Sequence, residues 1–533
     1  MKQNIINIAR KNINYLEGHQ VKNGFDKGGI KDPALDRVIG DNYATEEFAF
    51  GLSSLIAMGE VEDLQDSFVE AMNFHKRTTE SYSFGTHSEH YQHRRIGFIE
   101  AYNLSKEFYD EELVNEWKSV IESWSWKNTS NCNWYAMNAL LCYLIYSETG
   151  QTRFQLYAWG EIARTVKYRG SDSYFSDNFD SVDFKQVSPH YNPVAYHAYT
   201  TALLHRYWLS SGSRVIRRIF LKSAKILHKL ILSNGHVAYR GRSSGHIFTY
   251  GVGYYVMIAA AKETNKCKYL DKSKEILGTL KFYQKSDGSW PVVANTNAYD
   301  RVDFQAPYSY HSVYNAHCSA WLLRSVPLFK SISIDDVSKD LNTDTSATSI
   351  GGGLYLIKKA NYEAVLSTGS GGNHDSAFSI AMLDINGNIG VLPSPASENS
   401  PVSGNFCRIM RSGHQIWSSI RKKGEFGKIT DYEVIGSKSI QIANSELNWR
   451  RKFSFQESEI IISDEISSDE FPLRECTLQT GYSIPKDSTI SMSSPSESFD
   501  KLSNTVLGNG STRITEGRRV SNRILKTKLI LDL

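Results

Sequence analysis

Apolar residues recur at spacings of three and four positions through most of residues 1–330. This spacing places their side chains on one face of a helix, and polar loops separate the successive runs. The pattern predicts eleven helices: Glu46–Met58, Leu64–Phe74, Ile96–Tyr109, Glu112–Trp124, Trp134–Ser147, Phe154–Val166, Pro193–Leu209, Val215–Leu232, Tyr250–Ala261, Leu270–Tyr283 and Tyr310–Val326.

Helices of similar length that are joined by polar loops are typical of stacked helical hairpins. The loops are rich in aromatic residues, histidine and glycine, as in FGTHSEHYQHRR and YRGRSSGHIFTYG. We therefore expect an α/α toroid, a ring of hairpins whose loops form a cleft at one end. A helical solenoid that does not close into a ring is the structural alternative.

The pattern changes after residues 329–350, a stretch rich in serine, threonine and aspartate that predicts a linker. Beyond it, short runs alternate apolar and polar residues, and many of these residues are β-branched. Such alternation is typical of an antiparallel β-sandwich. Residues 485–515 are polar and serine-rich and are expected to form long loops, whereas the final RILKTKLILDL is expected to be a closing strand.

The sequence therefore predicts a multidomain protein of α and β structure. An α/α toroid would cover residues 1–330, a linker 331–350, and an antiparallel β-sandwich 351–533. The length of 533 residues agrees with such a division, because single cores seldom exceed about 250–300 residues.

Composition narrows the functional classes. The chain is 41% hydrophobic and 22% charged, and its net charge of only +3 argues against nucleic acid as a partner. The 30 tyrosines and 10 tryptophans suit a protein that stacks on sugars, and they equally suit large helical cores. The six cysteines are scattered without a CxxC pair, so buried free thiols are expected rather than disulfides or a zinc site.

The N-terminal stretch MKQNIINIARKNINYLEG contains no long apolar run. Neither a signal peptide nor a membrane span is therefore expected. The cellular location stays open between the cytoplasm and export without a conventional leader.

Three segments rich in polar and aromatic side chains lie at or just before predicted helix starts: Ser130–Trp134, Asp183–Thr200 and Tyr239–Gly251. Helix starts that line one rim of a toroid would point amides and side chains into a common cleft. In the middle segment, Asn192 suits a helix N-cap and Pro193 suits the first helical position.

The middle segment also places a histidine beside two tyrosines. Tyr196 and Tyr199 are three residues apart and share a helical face, and His190 lies in the loop before them. An imidazole beside a phenol can move protons at a bound sugar. The alternative is that these side chains only pack the edge of a core.

The three segments resemble polysaccharide lyases that combine an α/α toroid with a β-sandwich, the group of hyaluronate, chondroitin AC and xanthan lyases. The architecture is also similar to that of heparinase II/III-like lyases. That group has an asparagine before a tryptophan, then a histidine followed nine residues later by a tyrosine. Here Asn133 precedes Trp134, and Tyr199 follows His190 by nine residues.

The group also has a pair of arginines, and the third segment offers Arg240 and Arg242. The sequence departs from the pattern here. The second arginine of the group lies four residues after the first, and the position four residues after Arg242 is His246.

The resemblance implies a lyase that cleaves a uronic-acid-containing glycan by β-elimination and leaves a 4,5-unsaturated uronate end. A base removes the C5 proton, and the C4–O bond breaks. Asn133 is the candidate donor that would stabilise the developing anion at the uronate carboxylate. Tyr199 can serve as base and acid if positive charge lowers its pKa, His190 can share the base role, and Arg242 would supply that charge.

The implied substrate is an acidic polysaccharide, with no nucleic acid and no membrane as partner. The scheme requires no metal and no other cofactor. The residues expected to bind the substrate are Trp134, Arg240, His246, His87 and Tyr310.

Several candidates have simpler alternative roles. Asn133 can be only the N-cap of the helix that follows it, and Arg240 and Arg242 can be surface charges. Tyr196 competes with Tyr199 for the acid role, and only the spacing of the lyase group favours Tyr199.

Other aromatic and histidine side chains suggest further interpretations. His87, His90 and His93 are three residues apart, so a helix would place them on one face and a metal site is conceivable. A loop that lines the cleft and binds acidic sugar is the preferred interpretation. His197 is expected to pack against a neighbouring helix, and Trp290 is expected to anchor a hairpin turn in the core.

Two other functions stay open. A toroid glycoside hydrolase acting on an acidic polysaccharide would need two carboxylates beside the scissile bond, and the loop acids Asp41, Glu89 and Asp183 form no evident pair. A catalytically silent glycan-binding protein would keep the cleft without the chemistry.

Overall fold

The computed structural model describes most of the helical part of the chain and mainly the strands of the C-terminal part. The described residues are 1–40, 42–61, 63–81, 90–177, 193–237, 243, 245–294, 310–332, 347–367, 379–386, 388–391, 406–411, 414–418, 425–429, 433–442, 445–467, 476–485, 490–493, 499–506, 511–519 and 525–531.

Twelve α-helices lie within this described part, and they include the eleven predicted ones. The prediction omits α1, although the buried residues Ile6, Ala9, Ile13 and Leu16 lie at helical spacing. The helices are α1 (Lys2–Glu17), α2 (Ala44–Ile56), α3 (Gln65–Ser81), α4 (Tyr91–Ser105), α5 (Glu111–Glu122), α6 (Cys132–Thr149), α7 (Thr152–Lys167), α8 (Val194–Ser211), α9 (Arg214–Leu230), α10 (Ile247–Thr264), α11 (Cys267–Tyr283) and α12 (His311–Ser325), followed by a 3₁₀ helix at Val326–Ser331. A two-stranded hairpin between α1 and α2 consists of β1 (Lys31–Asp32) and β2 (Arg37–Val38).

Six of these helices form a closed ring. Helix α2 contacts α4, α4 contacts α6, and the contacts continue through α8, α10 and α12 back to α2. The other helices pack outside the ring, for example α7 on α6, α9 on α8 and α11 on α10. The helical part is therefore an α/α toroid, as predicted, and not an open solenoid.

The place of a helix in the ring agrees with its sequence. The inner helix α10 is buried along Ile247–Ala261, whereas the outer helix α9 buries a single face that includes Phe220 and Leu227. A glycine allows two inner helices to approach closely. A Cβ atom at Gly251 of α10 would lie 2.7 Å from the carbonyl oxygen of Cys318 in α12.

Short turns join the inner helices α4, α6, α8 and α10 to the outer helices that follow them. Gly150 ends α6 and Gly212 ends α8, both in the left-handed conformation with φ of 69° and 68°. Such short turns make the two helices of a hairpin antiparallel. The inner helices therefore run parallel to one another, and their N-terminal ends gather at one end of the toroid.

The start of α8 differs from the prediction by one residue. The helix begins at Val194, so Pro193 occupies the N-cap with an extended backbone (φ −67°, ψ 133°) and is not the first helical residue. Proline suits this position as well, because its fixed φ is compatible with both conformations. Asn192 lies outside the described residues.

The C-terminal part consists of strands, whose bounds are β3 (Ala347–Gly351), β4 (Leu354–Lys358), β5 (Tyr362–Ser367), β6 (Ser379–Ile385), β7 (Asn388–Val391), β8 (Phe406–Arg411), β9 (His414–Ser418), β10 (Glu425–Ile429), β11 (Glu433–Ile442), β12 (Ser445–Phe455), β13 (Glu459–Ser467), β14 (Cys476–Pro485), β15 (Ile490–Ser493), β16 (Phe499–Val506), β17 (Ser511–Arg519) and β18 (Leu525–Leu531). They form antiparallel sheets with the orders β3-β4-β5-β6-β7, β10-β11-β12-β13-β18-β15 and β16-β17-β14-β8-β9.

The first two sheets pack face to face. Ile357, Leu366 and Leu383 of one sheet share a hydrophobic core with Phe453 and Ile462 of the other. This layering is the predicted β-sandwich. The predicted closing strand is also present, as β18 between β13 and β15.

The expectation of long loops at residues 485–515 was wrong. Strands β15 and β16 and the beginning of β17 lie in this stretch. Strand β17 pairs on both sides, with β14 and with β16. Backbone pairing, which the serine-rich sequence does not reveal, defines these strands.

The first sheet also packs against the toroid. Leu354, Val365 and Met382 belong to the hydrophobic core of the helical part. The carboxylate of Asp172, in the loop after α7, accepts a hydrogen bond of 2.7 Å from the Gly352 amide. The domain limits at residues 330 and 351 stay a prediction. The 3₁₀ helix (Val326–Ser331) ends where the predicted linker begins, and β3 (Ala347–Gly351) begins near its end.

Two packing predictions are confirmed. Trp290 is fully buried, and its indole N–H donates a hydrogen bond of 2.8 Å to the Leu280 carbonyl. His197 is also fully buried, and its Nε2 lies 3.3 Å from the Ser223 carbonyl of α9.

Three of the cysteines, Cys132, Cys142 and Cys318, are buried free thiols as expected, and Cys267 is a half-buried one. Among the helices that the structure describes, none combines the length and the apolar character needed to cross a membrane.

Candidate functional site

Three aromatic rings from alternate inner helices meet inside the ring. His93 lies in the first turn of α4, Tyr199 in the second turn of α8, and His317 in the second turn of α12. Each pair of these rings has a centroid separation of 5.4 Å. Because alternate helices of a ring can touch only across its axis, these side chains fill the middle of the toroid. We call them, together with Glu47 of α2, the axial cluster.

The Tyr199 hydroxyl contacts two side chains. It lies 3.1 Å from Nδ1 of His93 and 3.3 Å from the sulfur of Met137. Burial, and after it the charge of Glu47, raises the pKa of Tyr199 well above its ordinary value. The sequence interpretation required a lowered pKa, and the described surroundings produce the opposite shift. Tyr199 is therefore protonated at neutral pH.

His93 is a neutral imidazole. Its ring stacks on Tyr43 at a centroid separation of 4.0 Å. Burial, assisted by the proximity of His317, lowers the pKa of His93 well below its ordinary value. A lone pair of neutral His93 can therefore accept the hydrogen bond that the Tyr199 hydroxyl donates.

Hydrogen bonds determine which nitrogen of His317 carries the proton. The indole N–H of Trp321, which can only donate, lies 3.1 Å from Nε2 of His317. Nε2 must accept, so the proton of the neutral ring lies on Nδ1, which is 3.0 Å from Glu47 Oε1. Burial lowers the pKa of His317 and keeps the ring neutral.

Glu47 also belongs to a set of four charges, of which Glu47, Glu100 and Arg324 are buried and Arg206 is half-buried. Arg324 lies 2.8 Å from Glu47 Oε2 and 2.8 Å from Glu100 Oε2, and Arg206 pairs with Glu100. Burial would raise the pKa of Glu47, but Arg324 lowers it below its ordinary value. Two carboxylates and two guanidinium groups leave no net charge beside Tyr199, around a cavity of about 10 Å³.

Glu47, His93 and His317 are the described residues that could hold a metal ion, since one donor atom of each lies within 4.8 Å of the others. Two observations argue against a metal here. Both nitrogens of His317 are already engaged, by Trp321 and by Glu47. The charges around the cluster already balance, so a divalent cation would bury uncompensated charge.

Asn133 is the second residue of α6, whose N-cap is Asn131, so the alternative role of Asn133 as an N-cap is wrong. The side chain of Asn133 is buried, and its Oδ1 has no hydrogen-bond partner among the described residues. One turn further along α6, Met137 contacts the Tyr199 hydroxyl. Asn133 therefore lies about 6 Å nearer to the open end of the toroid, on the same helix face. A buried amide oxygen without a partner is uncommon in folded proteins, so Asn133 is a candidate ligand position.

The structure also brings the start of α8 against the third segment. The Tyr196 hydroxyl, one turn nearer to the helix start than Tyr199, lies 3.2 Å from Ser243 Oγ. His246 is the N-cap of α10 and is fully buried, with its ring 4.6 Å from that of Tyr314. Tyr196 is half-buried, so it is more accessible than Tyr199.

Two further candidates lie at the same end of the toroid. Trp134 and Tyr310 are half-buried at the starts of α6 and α12. The Trp134 ring lies 5.8 Å from that of His90, the N-cap of α4. Four candidates fall outside the described residues: His87, His190, Arg240 and Arg242. The loop acids Asp41, Glu89 and Asp183 also fall outside them.

The sequence interpretation missed Glu47, Glu100, His317 and Arg324. A signal exists for Glu47, His317 and Arg324, because they lie in ATEEFAFGLSSLI (α2) and HSVYNAHCSAWLLRS (α12), which are buried on nearly all sides. A charged side chain in such a helix requires a buried partner. The sequence contains no indication of which partner that is.

Comparisons with solved structures identify the same architecture. The chondroitin AC lyase of Streptomyces coelicolor A3, solved in complex with chondroitin sulphate, matches 99% of this chain and 79% of its own with a TM-score of 0.54 and 8% identity. A xanthan lyase from Paenibacillus matches 100% of this chain with a TM-score of 0.56 and 8% identity. This chain spans 57% of the length of that xanthan lyase.

A cellobiose 2-epimerase from Bacillus thermoamylovorans B4167 matches 60% of this chain and 99% of its own, with a TM-score of 0.42 and 10% identity. No protein-family model and no curated protein matches the sequence. These two lyase structures, which match 99% and 100% of this chain, show that it shares the fold of an α/α toroid followed by antiparallel sheets.

Proposed function

We propose that this protein is a polysaccharide lyase that cleaves a uronic-acid-containing glycan by β-elimination. One arrangement carries the proposal. The buried Asn133 amide lies one helical turn from Met137, and Met137 contacts the Tyr199 hydroxyl. The same hydroxyl is hydrogen-bonded to His93. The fold shared with two lyases of polysaccharides supports it.

Asn133 would hold the uronate carboxylate. The C5 proton of a uronate is poorly acidic while the adjacent carboxylate keeps its full negative charge. An amide N–H that donates to this carboxylate stabilises the anion that forms when C5 loses its proton. A half-turn of the Asn133 amide exchanges the places of its oxygen and its nitrogen. The NH₂ group then occupies the position of the Oδ1 atom that has no partner, where it can donate to the uronate carboxylate.

Tyr199 and His93 would move the proton. As Tyr199 Oη takes the C5 proton, its own proton passes to Nδ1 of His93. The C4–O bond then breaks, a C4=C5 double bond forms, and the leaving oxygen takes a proton from Tyr199 Oη. His93 returns its proton to Tyr199, so that one proton has moved from C5 to the leaving oxygen.

The residues that the lyase resemblance adds have supporting roles in this proposal. His190 would share the base role, and Arg242 would compensate the charge of the uronate. Substrate binding would use Trp134, Tyr310, His246, His87 and Arg240.

A glycoside hydrolase is supported less well. Hydrolysis needs two carboxyl groups beside the bond, one of which must be protonated. Of the described carboxylates beside Tyr199, Glu47 and Glu100 both pair with Arg324, which lowers the pKa of Glu47. Glu47 is therefore unsuited to donate a proton at neutral pH.

The test is incubation with a panel of uronate polysaccharides, among them chondroitin sulphate, hyaluronan, xanthan and alginate. The lyase proposal predicts ultraviolet absorbance of unsaturated uronate that rises in step with new reducing ends. Reducing ends without this absorbance would establish hydrolysis. Binding without either signal would establish a silent glycan-binding protein, and both results overturn the lyase proposal.

A further inference from the structure

The outer helix α9 carries a line of basic side chains. Arg214, Arg218, Lys222 and Lys225 are exposed, and Lys229 is half-buried. Their spacings of four, four, three and four residues place them on one helix face, over a length of about 22 Å. We call these five residues the basic stripe.

The basic stripe is not neutralised within the described part of the protein. The sequence of α9, RVIRRIFLKSAKILHKL, contains no acidic residue. Arg217, on another side of α9, pairs with Glu263 at 2.8 Å, but no stripe residue has such a partner among the described residues. The neighbouring outer helix α11 differs, since its exposed Lys274 pairs with Asp271 within the helix.

Helix stability does not explain this arrangement. Like charges four residues apart destabilise a helix, and the stripe contains three such pairs. Arg214 also opens the helix, where the macrodipole disfavours positive charge, and no acidic residue lies in the first turn. A surface helix that only has to stay soluble can do so with acidic and basic residues interspersed, which avoids the repulsion between like charges.

The stripe leads to the candidate site. Helix α9 packs antiparallel to α8, so its C-terminal end, with Lys229, lies at the end of the toroid where α8 begins. The segment after α9 reaches Ser243, whose hydroxyl contacts Tyr196 near the start of α8. The basic stripe therefore runs along the outer wall of the toroid towards the rim of the cleft.

We propose that the basic stripe binds acidic polysaccharide outside the cleft and guides the polymer towards it. The inference rests on the proposed function for the identity of the polyanion. A row of cations along one helix face is complementary to a polymer that carries repeated carboxylates or sulfates. The stripe is then a second binding surface, separate from the residues that act on the bond.

The test compares two triple variants of the full chain. Arg218→Glu, Lys222→Glu and Lys225→Glu together reverse the stripe. The matched control is Lys2→Glu, Lys11→Glu and Lys76→Glu, which changes the net charge equally at exposed positions of α1 and α3, on other sides of the ring. Calorimetry measures binding of chondroitin sulphate and hyaluronan, with uncharged dextran as the reference polymer.

We expect the stripe variant to bind both acidic polymers about tenfold more weakly, with a shallower salt dependence, and the control to stay within about twofold of the wild type. A chondroitin tetrasaccharide, short enough to occupy only the cleft, should bind all three proteins equally. Equal loss of polymer affinity in the two triple variants, or no loss in the stripe variant, overturns the proposal.

Duplex DNA and phosphatidylserine vesicles are the competing polyanions. Tighter binding of either one to the wild type than of the polysaccharides, with loss in the stripe variant, also overturns the proposal. If the glutamate variant fails to fold by circular dichroism, Arg218→Gln, Lys222→Gln and Lys225→Gln replace it. The two proposals can fail separately. If the wild type releases no unsaturated uronate but the stripe variant still binds the polymers more weakly than the wild type, the lyase activity is refuted and the proposed binding surface is supported.

Discussion

The hydroxyl of Tyr199 lies 3.1 Å from Nδ1 of His93, and this hydrogen bond crosses the middle of the toroid from α8 to α4. Burial keeps the phenol protonated and the imidazole neutral. A proton donor and a proton acceptor are thus held in contact inside the ring, below the helix starts that form the rim. The proposed elimination depends on this pair.

Replacement of Tyr199 by phenylalanine should nearly abolish turnover. The change removes only the hydroxyl, and general acid–base catalysis contributes about 10²–10⁴-fold to a rate. The buried ring stays in place, so we expect the melting temperature to change little. Release of unsaturated uronate measures the activity, and circular dichroism checks the fold.

The matched variant is Tyr196→Phe, one turn nearer to the helix start. Its hydroxyl contacts Ser243, and among the described residues no hydrogen bond joins it to the axial cluster, so we expect most of the activity to remain. The reverse result, an active Tyr199→Phe beside an inactive Tyr196→Phe, would transfer the acid role to Tyr196.

Asn133→Asp should also suppress turnover. A carboxylate at this place repels the uronate carboxylate and removes the amide donor that stabilises the anion. The two side chains have nearly the same shape, so the fold should persist. We expect at least a hundredfold lower kcat/KM, on the order of the loss seen when one donor to a developing anion is removed.

Asn138 on the same helix provides the control. Its Nδ2 donates to the Lys127 carbonyl at 3.0 Å, and its Oδ1 accepts from the Tyr91 hydroxyl at 3.1 Å. Asn138→Asp should therefore lower the melting temperature and leave kcat/KM of the folded fraction nearly unchanged. Equal activity of Asn133→Asp and wild type would remove Asn133 from the site.

The fold was largely predictable because the toroid repeats one pattern. Outer helices such as α9 have one apolar face, inner helices such as α2, α6 and α10 are more strongly apolar, and both kinds show helical spacing. The strands β15 to β17 were not predictable, since a polar strand held by its neighbours lacks a strong apolar alternation.

The candidate site was predictable only at the helix starts. Asn133 lies in the first turn of α6 and Tyr199 in the second turn of α8, near helix starts that the sequence singles out, and their joint role stays a prediction. The contact between His317 and Glu47 joins residues that are 270 positions apart. Sequence spacing does not reveal which helices face each other across the ring, so the lowered pKa expected for Tyr199 could not be tested before its neighbours were known.

Glu47→Gln should change both stability and the pH profile of activity. Loss of the charge leaves Arg324 partly unpaired in a buried site, which costs on the order of 3–5 kcal/mol. The charge of Glu47 also raises the pKa of Tyr199, so its removal should lower that pKa. The alkaline limb of kcat/KM should then move to lower pH.

Glu46→Gln separates the two effects. Glu46 is the adjacent carboxylate of α2, and it pairs with Arg94 and His75 at 2.7 Å each. This variant should lose comparable stability in urea unfolding while keeping the pH profile of the wild type. An unchanged alkaline limb in Glu47→Gln would contradict the assigned influence of Glu47 on Tyr199.

Folding stability should fall as the pH drops from 7 to 5. Burial is the main cause that lowers the pKa of six histidines, to about 4 for His75, His197 and His311 and to about 3 for His205, His228 and His236. Their pKa in the unfolded chain is about 6.5. Between these values the unfolded chain binds more protons than the folded one, so each histidine removes up to about 1.4 kcal/mol of stability per pH unit on acidification.

Urea unfolding at pH 7, 6 and 5 measures this slope above the pH range in which Glu46 titrates. Arg94 and His75 overcome the effect of burial and lower the pKa of Glu46 to about 2, so the stability it contributes is lost only below its unfolded pKa of 4.5. His236→Gln removes one titrating ring and should reduce the slope by up to about 1.4 kcal/mol per pH unit. A urea midpoint that stays constant from pH 7 to pH 5 would show that these rings gain protons in the folded protein as readily as in the unfolded chain.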